Sequence, residues 1–197
     1  MLRKFIAWQF KKPTGLFGIF SSNIMIKGNM TRYGQMIKNL DVQSNNKLLE
    51  IGYGPGIGIN MIAKKFPSSI IHGIDFSPLM YNRASKYNRL YIGDKVRLQF
   101  GDFLKIHIDN NSYDKVFCLN VIYFWDNLME PFEKIISILK YGGTFHIYMA
   151  TKEMLKRATD GVFNKYSIEQ VVEALRLAGF AEVEHYFDKG YYIKANK

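Results

Sequence analysis

Leu48-Leu49-Glu50-Ile51-Gly52-Tyr53-Gly54-Pro55-Gly56-Ile57-Gly58 is the stretch whose reading decides the fold. An apolar run bounded by glycine reads as a buried strand, and the helix-compatible segment from Ile57 to Phe66 reads as the helix after it. Glycine has no Cβ and tolerates φ > 0, so the turn between them brings backbone close to whatever binds there. The free N–H groups at the start of the helix suit a polar or anionic ligand group.

The spacing separates two ligand classes. A dinucleotide fingerprint, G-x-G-x-x-G, requires a third glycine where Ile57 or Ile59 stands. What is written instead is G-x-G-x-G after an acid, E-I-G-Y-G-P-G.

From Lys47 onward strand and helix patterns alternate. Ile70 to Asp75 reads as strand two, Ser77-Pro78 as the cap and first residue of a helix running to about Leu90, and Val96 to Gly101 as strand three. Tyr113 to Leu119 is strand four, and Met129 to Leu139 the helix after it. Lys140 to Gly143 reads as a turn into strand five, Thr144 to Met149. Ser167-Ile168-Glu169-Gln170 is a capping sequence for a helix to Ala178, and Ala181 to Phe187 with Tyr191 to Ala195 read as a closing hairpin. Such alternation predicts an α/β fold with a parallel sheet covered by helices on both faces.

Composition bounds the remaining choices. The 197 residues, 48% of them apolar, suit one domain with a sizeable core and exclude a disordered chain. The lone cysteine, Cys118, excludes an intramolecular disulfide framework, and no His, Asp or Glu cluster has metal-site spacing. The net charge of +10 is uneven: residues 1–46 carry seven basic residues against Asp41 alone. A basic surplus attracts nucleic acid, an anionic membrane face or an acidic substrate.

Residues 1–46 are expected to form a helical leader or cap, and residues 47–197 the core domain. Within the leader, Asn29 to Leu40 reads as a helix with Asn29 or Thr31 as N-cap. Phe5 to Phe10, between basic pairs, is too short to span a bilayer and lacks a signal-peptide cleavage site. Two readings of it stay open: a cap packed over the domain's mouth, or a basic aromatic helix in residues 1–14 lying on an anionic membrane surface. The expected location is cytoplasmic, with peripheral membrane contact under the second reading.

The string E-I-G-Y-G-P-G resembles motif I of the class I S-adenosylmethionine-dependent methyltransferases of the small-molecule type. The resemblance runs through residues 47 to about 150 and implies a Rossmann-like seven-stranded sheet of order 3-2-1-4-5-7-6, with strand 7 antiparallel. It also implies S-adenosylmethionine as cofactor, bound beyond the carboxyl ends of the strands. Glu50, Gly52, Tyr53, Gly54 and Gly56 fall in its first motif. Asp75, in G-I-D-F-S-P-L-M, stands where an acid accepts the ribose hydroxyls, with Phe76 beside the adenine and Met80 below it. Gly101-Asp102-Phe103 matches the adenine motif, and Asn120 opens the segment Asn120-Val121-Ile122-Tyr123-Phe124-Trp125 that faces the sulfonium and the acceptor.

The predicted activity is in-line methyl transfer to a small-molecule acceptor, where alignment supplies much of the rate. Tyr123, Tyr148 and His146 are the candidates for catalytic contact; His146 and Tyr148 share one face of strand five. A membrane-associated lipid acceptor, such as a phospholipid amine or quinone precursor, is the alternative. An RNA substrate has only the charge in its favour, because the segment after strand four does not spell the [DNS]-P-P-[YFW] motif of base-amino methylation. A cofactor-binding protein without catalysis is a third possibility.

Overall fold

The computed structural model describes residues 15–155 and 162–197, with the backbone alone for 16–27. The strands are β1 (Lys47–Ile51), β2 (Ile70–Asp75), β3 (Val96–Phe100), β4 (Tyr113–Leu119), β5 (Leu139–Met149), β6 (Val183–Phe187) and β7 (Tyr191–Asn196). The helices are α1 (Gly15–Asn39), α2 (Ile57–Lys65), α3 (Pro78–Tyr87), α4 (Met129–Ile138) and α5 (Ile168–Leu177), with a 3₁₀ turn at Ile122–Phe124.

The strands form one sheet in the order β3-β2-β1-β4-β5-β7-β6. β1 to β5 pair in parallel, while β7 runs antiparallel between β5 and β6, as the resemblance implied. Side chains of successive strand residues point to opposite faces, so each central strand feeds two cores. Leu49, Ile51, Val116, Cys118 and Ile147 pack with Phe132 of α4 and Leu175 of α5. Leu48, Phe117, Leu119 and Tyr148 turn the other way, to Tyr33 and Met36 of α1 and Ile59 and Ile62 of α2.

Local chemistry sets the helix starts. Ser77 caps α3 by accepting the Met80 N–H, with Pro78 as the first helical residue. Ser167 and Gln170 close a reciprocal capping box on α5.

Two expectations are corrected. Asn29 and Thr31 do not cap a helix, because α1 runs unbroken through them from Gly15 to Asn39. Gly28 and Gly34 each cost the helix about 1 kcal/mol relative to alanine. Burial of Tyr33, Met36 and Ile37 against the sheet and α2 outweighs that. Lys140 to Gly143 is not a turn before β5 but lies inside it: Leu139 already pairs with Tyr113, and the register then slips so that Thr144 pairs with Lys115. Gly142, at φ +73°, absorbs the slip as a bulge, which saves the strand from ending. The aromatic and basic positions of residues 1–14 lie outside the described residues.

Strand order reverses between β1 and β4, which opens a crevice beyond their carboxyl ends. The sequence-predicted donor residues sit around it.

Candidate functional site

The glycine turn after β1 is held by the end of β2. Gly52 donates its N–H to the Ile74 carbonyl at 2.8 Å, and Gly54 donates to Asp75 Oδ2 at 2.8 Å. Asp75 Oδ1 accepts the Ser77 N–H at 2.9 Å, so one carboxylate ties the turn to the cap of α3. Gly52 and Gly54 require glycine for different reasons. A Cβ on Gly52 would stand 2.5 Å from Val121 Cγ2, whereas Gly54 has open space around it and needs glycine only for its φ of +53°.

Asp75 is buried, and that burial pushes its carboxyl up to about 6, while the Ser77 and Gly54 N–H groups pull it back. Each oxygen keeps a lone pair beyond the N–H it accepts, which leaves room for two hydroxyl donors.

The turn after β3 is built on Asp102. Its Oδ1 accepts the Leu104 N–H at 3.0 Å, and its carbonyl accepts the N–H groups of Lys105 and Ile106, both at 3.0 Å. Gly101 hangs this turn on β2 through its N–H to the Asp75 carbonyl at 2.9 Å.

At the end of β4, Asn120 adopts φ +60°, a conformation that asparagine tolerates better than most residues. Its Nδ2 donates to Asn29 Oδ1 at 3.2 Å, and its Oδ1 accepts the Tyr123 hydroxyl at 3.1 Å. Tyr123 in turn accepts the Ala150 N–H.

These elements enclose a cavity of about 520 Å³. Its lining follows the strand order: Gly101, Asp102 and Phe103 after β3, Asp75, Phe76 and Met80 after β2, Gly52 and Gly54 after β1, and Asn120 after β4. Phe124 and Trp125 complete the wall beside Asn120. Asn29 and Asp126 also line it and were not singled out as ligand contacts in the sequence. Nothing local marks Asn29, since its place in the wall depends on α1 crossing the end of β4. Among the described residues, the charged members of the lining are Asp75, Asp102 and Asp126, with no lysine, arginine or histidine.

Three of the expected donor residues are structural neighbours of the cavity instead of its lining. Glu50 is fully buried and accepts the Tyr33 hydroxyl at 2.7 Å. Burial pushes its carboxyl up to about 8, against the pull of that hydrogen bond, and Asp75 adds to the rise. Tyr53 is buried with its ring against Gly73. Gly56 packs against Ala84 of α3 and offers its carbonyl to Asn88 Nδ2 at 3.0 Å.

The catalytic candidates Tyr123, Tyr148 and His146 do not line the cavity either. Tyr123 lies behind Asn120, its hydroxyl engaged as above. His146 and Tyr148 do share a face of β5, but α1 packs over that face. Arg32 Nε donates to the Tyr148 hydroxyl at 2.7 Å, and that hydroxyl donates to the Lys189 carbonyl. His146 borders a separate cavity of about 350 Å³ between α1 and the β6–β7 hairpin. Burial, reinforced by Lys115 and Lys194, holds its imidazole down at about 3, so it is uncharged at neutral pH.

A family model described as a methyltransferase domain matches residues 48–143. The uncharacterized methyltransferase YdaC of Bacillus subtilis is 27% identical over 164 residues, covering 83% of this chain and 87% of its own length. A sterol 24-C-methyltransferase of Gibberella zeae is 25% identical over 162 residues, covering 75% of this chain but only 42% of that enzyme. Phosphoethanolamine N-methyltransferase 2 of Haemonchus contortus, solved with phosphomonomethylethanolamine and S-adenosylhomocysteine, shares the fold with a TM-score of 0.71 at 23% identity. That superposition covers 79% of this chain and 38% of the solved one. The chain thus spans less than half the length of these two enzymes. Matched domain, relatives and sheet order together liken the chain to the class I S-adenosylmethionine-dependent methyltransferases.

Proposed function

We propose that the chain transfers the methyl group of S-adenosylmethionine to a small-molecule acceptor, with the donor bound in the cavity beyond β1 to β4. The observation that carries this reading is the Asp75 carboxylate, tied by the Gly54 and Ser77 N–H groups and still able to accept two hydroxyls at the cavity wall. The lining fits the donor's charge as well. Three carboxylates and no described basic group face a ligand that carries a sulfonium and an ammonium.

Gly52 and Gly54 would admit the methionyl portion, Asp75 the ribose diol, and Phe76, Met80, Asp102 and Phe103 the adenine. When bound, the donor supplies an electrophilic methyl group. The chain's task is then to hold the acceptor in line behind it and to exclude water. Among the described residues the cavity wall offers no histidine, and the Tyr123 and Tyr148 hydroxyls are already hydrogen-bonded. An acceptor that brings its own free lone pair, such as an amine, suits this wall better than one needing deprotonation.

Residues 1–46 act in this reading as a cap on the domain 47–197, supported by Asn29 reaching the cavity from α1. Among the described residues no helix is long and apolar enough to cross a membrane. A lipid acceptor met at the membrane surface is the second reading, favoured by the name of the sterol relative and by the basic leader. Sedimentation with anionic vesicles, with and without residues 1–14, separates the two. Equal sedimentation removes the leader from the argument.

Calorimetric titration with S-adenosylhomocysteine tests the donor site. Micromolar binding is expected, lost in Asp75→Ala and in Gly54→Val, whose β-branched side chain opposes φ +53°. Full binding by both variants would overturn the site.

A further inference from the structure

Lys134 belongs to α4, on the side of the sheet away from α1, and no sequence motif points to it. Its side chain is half-buried and reaches the turn after β3. Its Nζ donates to three carbonyls of that turn: Phe103 at 2.6 Å, Leu104 at 3.1 Å and Ile106 at 2.5 Å. An ammonium has three N–H donors, and here all of them are spent on one backbone turn. The same Nζ stands 5.1 Å from the centre of the Phe103 ring.

The three carbonyls belong to Phe103 and the residues just after it. Phe103 and Asp102 are cavity-lining neighbours in sequence, and the Asp102 carbonyl accepts two N–H groups from the far side of the turn. Gly101 anchors the turn's start to β2, so the ammonium supplies the opposing anchor at its end. Carbonyls drawn together around one charge need that charge, because without it their dipoles repel one another and turn toward water.

We propose that Lys134 is a positioning residue of the donor pocket: it gathers the 103–106 carbonyls and so holds Asp102 and Phe103 at the edge where the adenine of the donor is read. The inference rests on the donor-site reading given above. It makes Lys134 responsible for selectivity toward the adenine's exocyclic amine, and not for general affinity.

The test compares S-adenosylhomocysteine with its hypoxanthine analogue, S-inosylhomocysteine, by calorimetry on the full chain. The wild type is expected to prefer the adenine ligand by at least tenfold. Lys134→Met is expected to bring that preference to within about threefold, with binding of the hypoxanthine analogue unchanged. In an Asp102→Ala background the same substitution should have no further effect on the preference. Retention of the full preference by Lys134→Met overturns the inference, as does an equal loss for both ligands, which would make Lys134 merely structural. Should Lys134→Met fail to fold, Lys134→Gln, neutral but still a donor, is read by the same criteria. Failure of the wild type to bind S-adenosylhomocysteine at all would instead overturn the donor-site reading itself.

Discussion

Asn29 of α1 and Asn120 at the end of β4 are joined by a 3.2 Å hydrogen bond, and both line the cavity. The bond is one of several that dock α1 onto the sheet. Arg32 Nε donates to the Tyr148 hydroxyl, the Arg32 carbonyl accepts the Tyr192 hydroxyl, and Tyr33 donates to Glu50. The N-terminal helix therefore shapes the cavity wall without belonging to the strand-helix repeat. Removing the Asn29 amide leaves Asn120 Nδ2 short of a partner, which is worth about 1 kcal/mol. Asn29→Ala should lower the unfolding midpoint by about 2–4 °C and, because Asn29 itself lines the cavity, weaken S-adenosylhomocysteine binding by about three- to tenfold. Unaltered affinity by calorimetry would remove α1 from the pocket.

The docking of α1 also depends on an absent side chain. A Cβ on Gly58, early in α2, would lie 2.5 Å from Tyr33 Cε1 and 2.8 Å from Glu50 Oε2. Gly58→Ala is otherwise favourable in a helix, so a gain in stability would be the outcome if the contact had slack. The expected outcome is a loss of about 1–3 kcal/mol, read from urea unfolding, because the Tyr33 ring must move off its site.

Asp75, buried at the cavity wall, should link ligand affinity to pH. Its folded carboxyl is raised from 3.8 to about 6, and the ionised form is the better acceptor of two hydroxyls. Binding should be insensitive to pH above about 7 and weaken by up to about tenfold per unit below about 6, as the carboxylate takes up its proton. Asp75→Asn should bind weakly and lose that dependence. A flat profile in the wild type would separate Asp75 from the ligand.

Glu50 acts on stability with the opposite sign from an ion-paired acid. Because its carboxyl is raised from 4.5 to about 8 in the folded chain, the native state holds a proton that the unfolded state has lost across that window. Its contribution is therefore fully present below about 4.5 and declines as pH rises towards about 8. Glu50→Gln keeps the acceptor for Tyr33 without an ionisable group. It should raise stability at pH 8 by on the order of 1–2 kcal/mol and flatten the decline, which thermal unfolding across the range would measure.

Much of the sheet was legible because its signals are local. The capping residues Ser77 and Ser167, the glycine turn and the apolar runs of β1, β2 and β4 all fall where the pattern put them. The departures have tertiary causes. β5 begins at Leu139 because β4 is there to pair with it, and α1 continues through Asn29 because the sheet and α2 bury its far end. For the pocket, the residues at strand ends were legible from position alone, since a parallel sheet presents its carboxyl ends to one crevice. Tyr148 and His146 were placed correctly on one face of β5, but nothing in their spacing says that α1 covers that face.

The sequence by itself determined the α/β class of the fold, since a strand, a glycine turn of G-x-G-x-G spacing and an acid at the end of the next strand are read over short distances. It likewise determined the alternation of strand and helix, because each central strand is written as an apolar run bounded by turn residues. Only the tertiary structure decided which side chains reach the cavity. Asn29 and Asp126 enter its wall, Glu50 and Tyr53 stay behind it, and Lys134 takes hold of the turn after β3. These contacts join residues far apart in the chain, and a contact between distant segments depends on how helices cross a sheet, which no local pattern encodes.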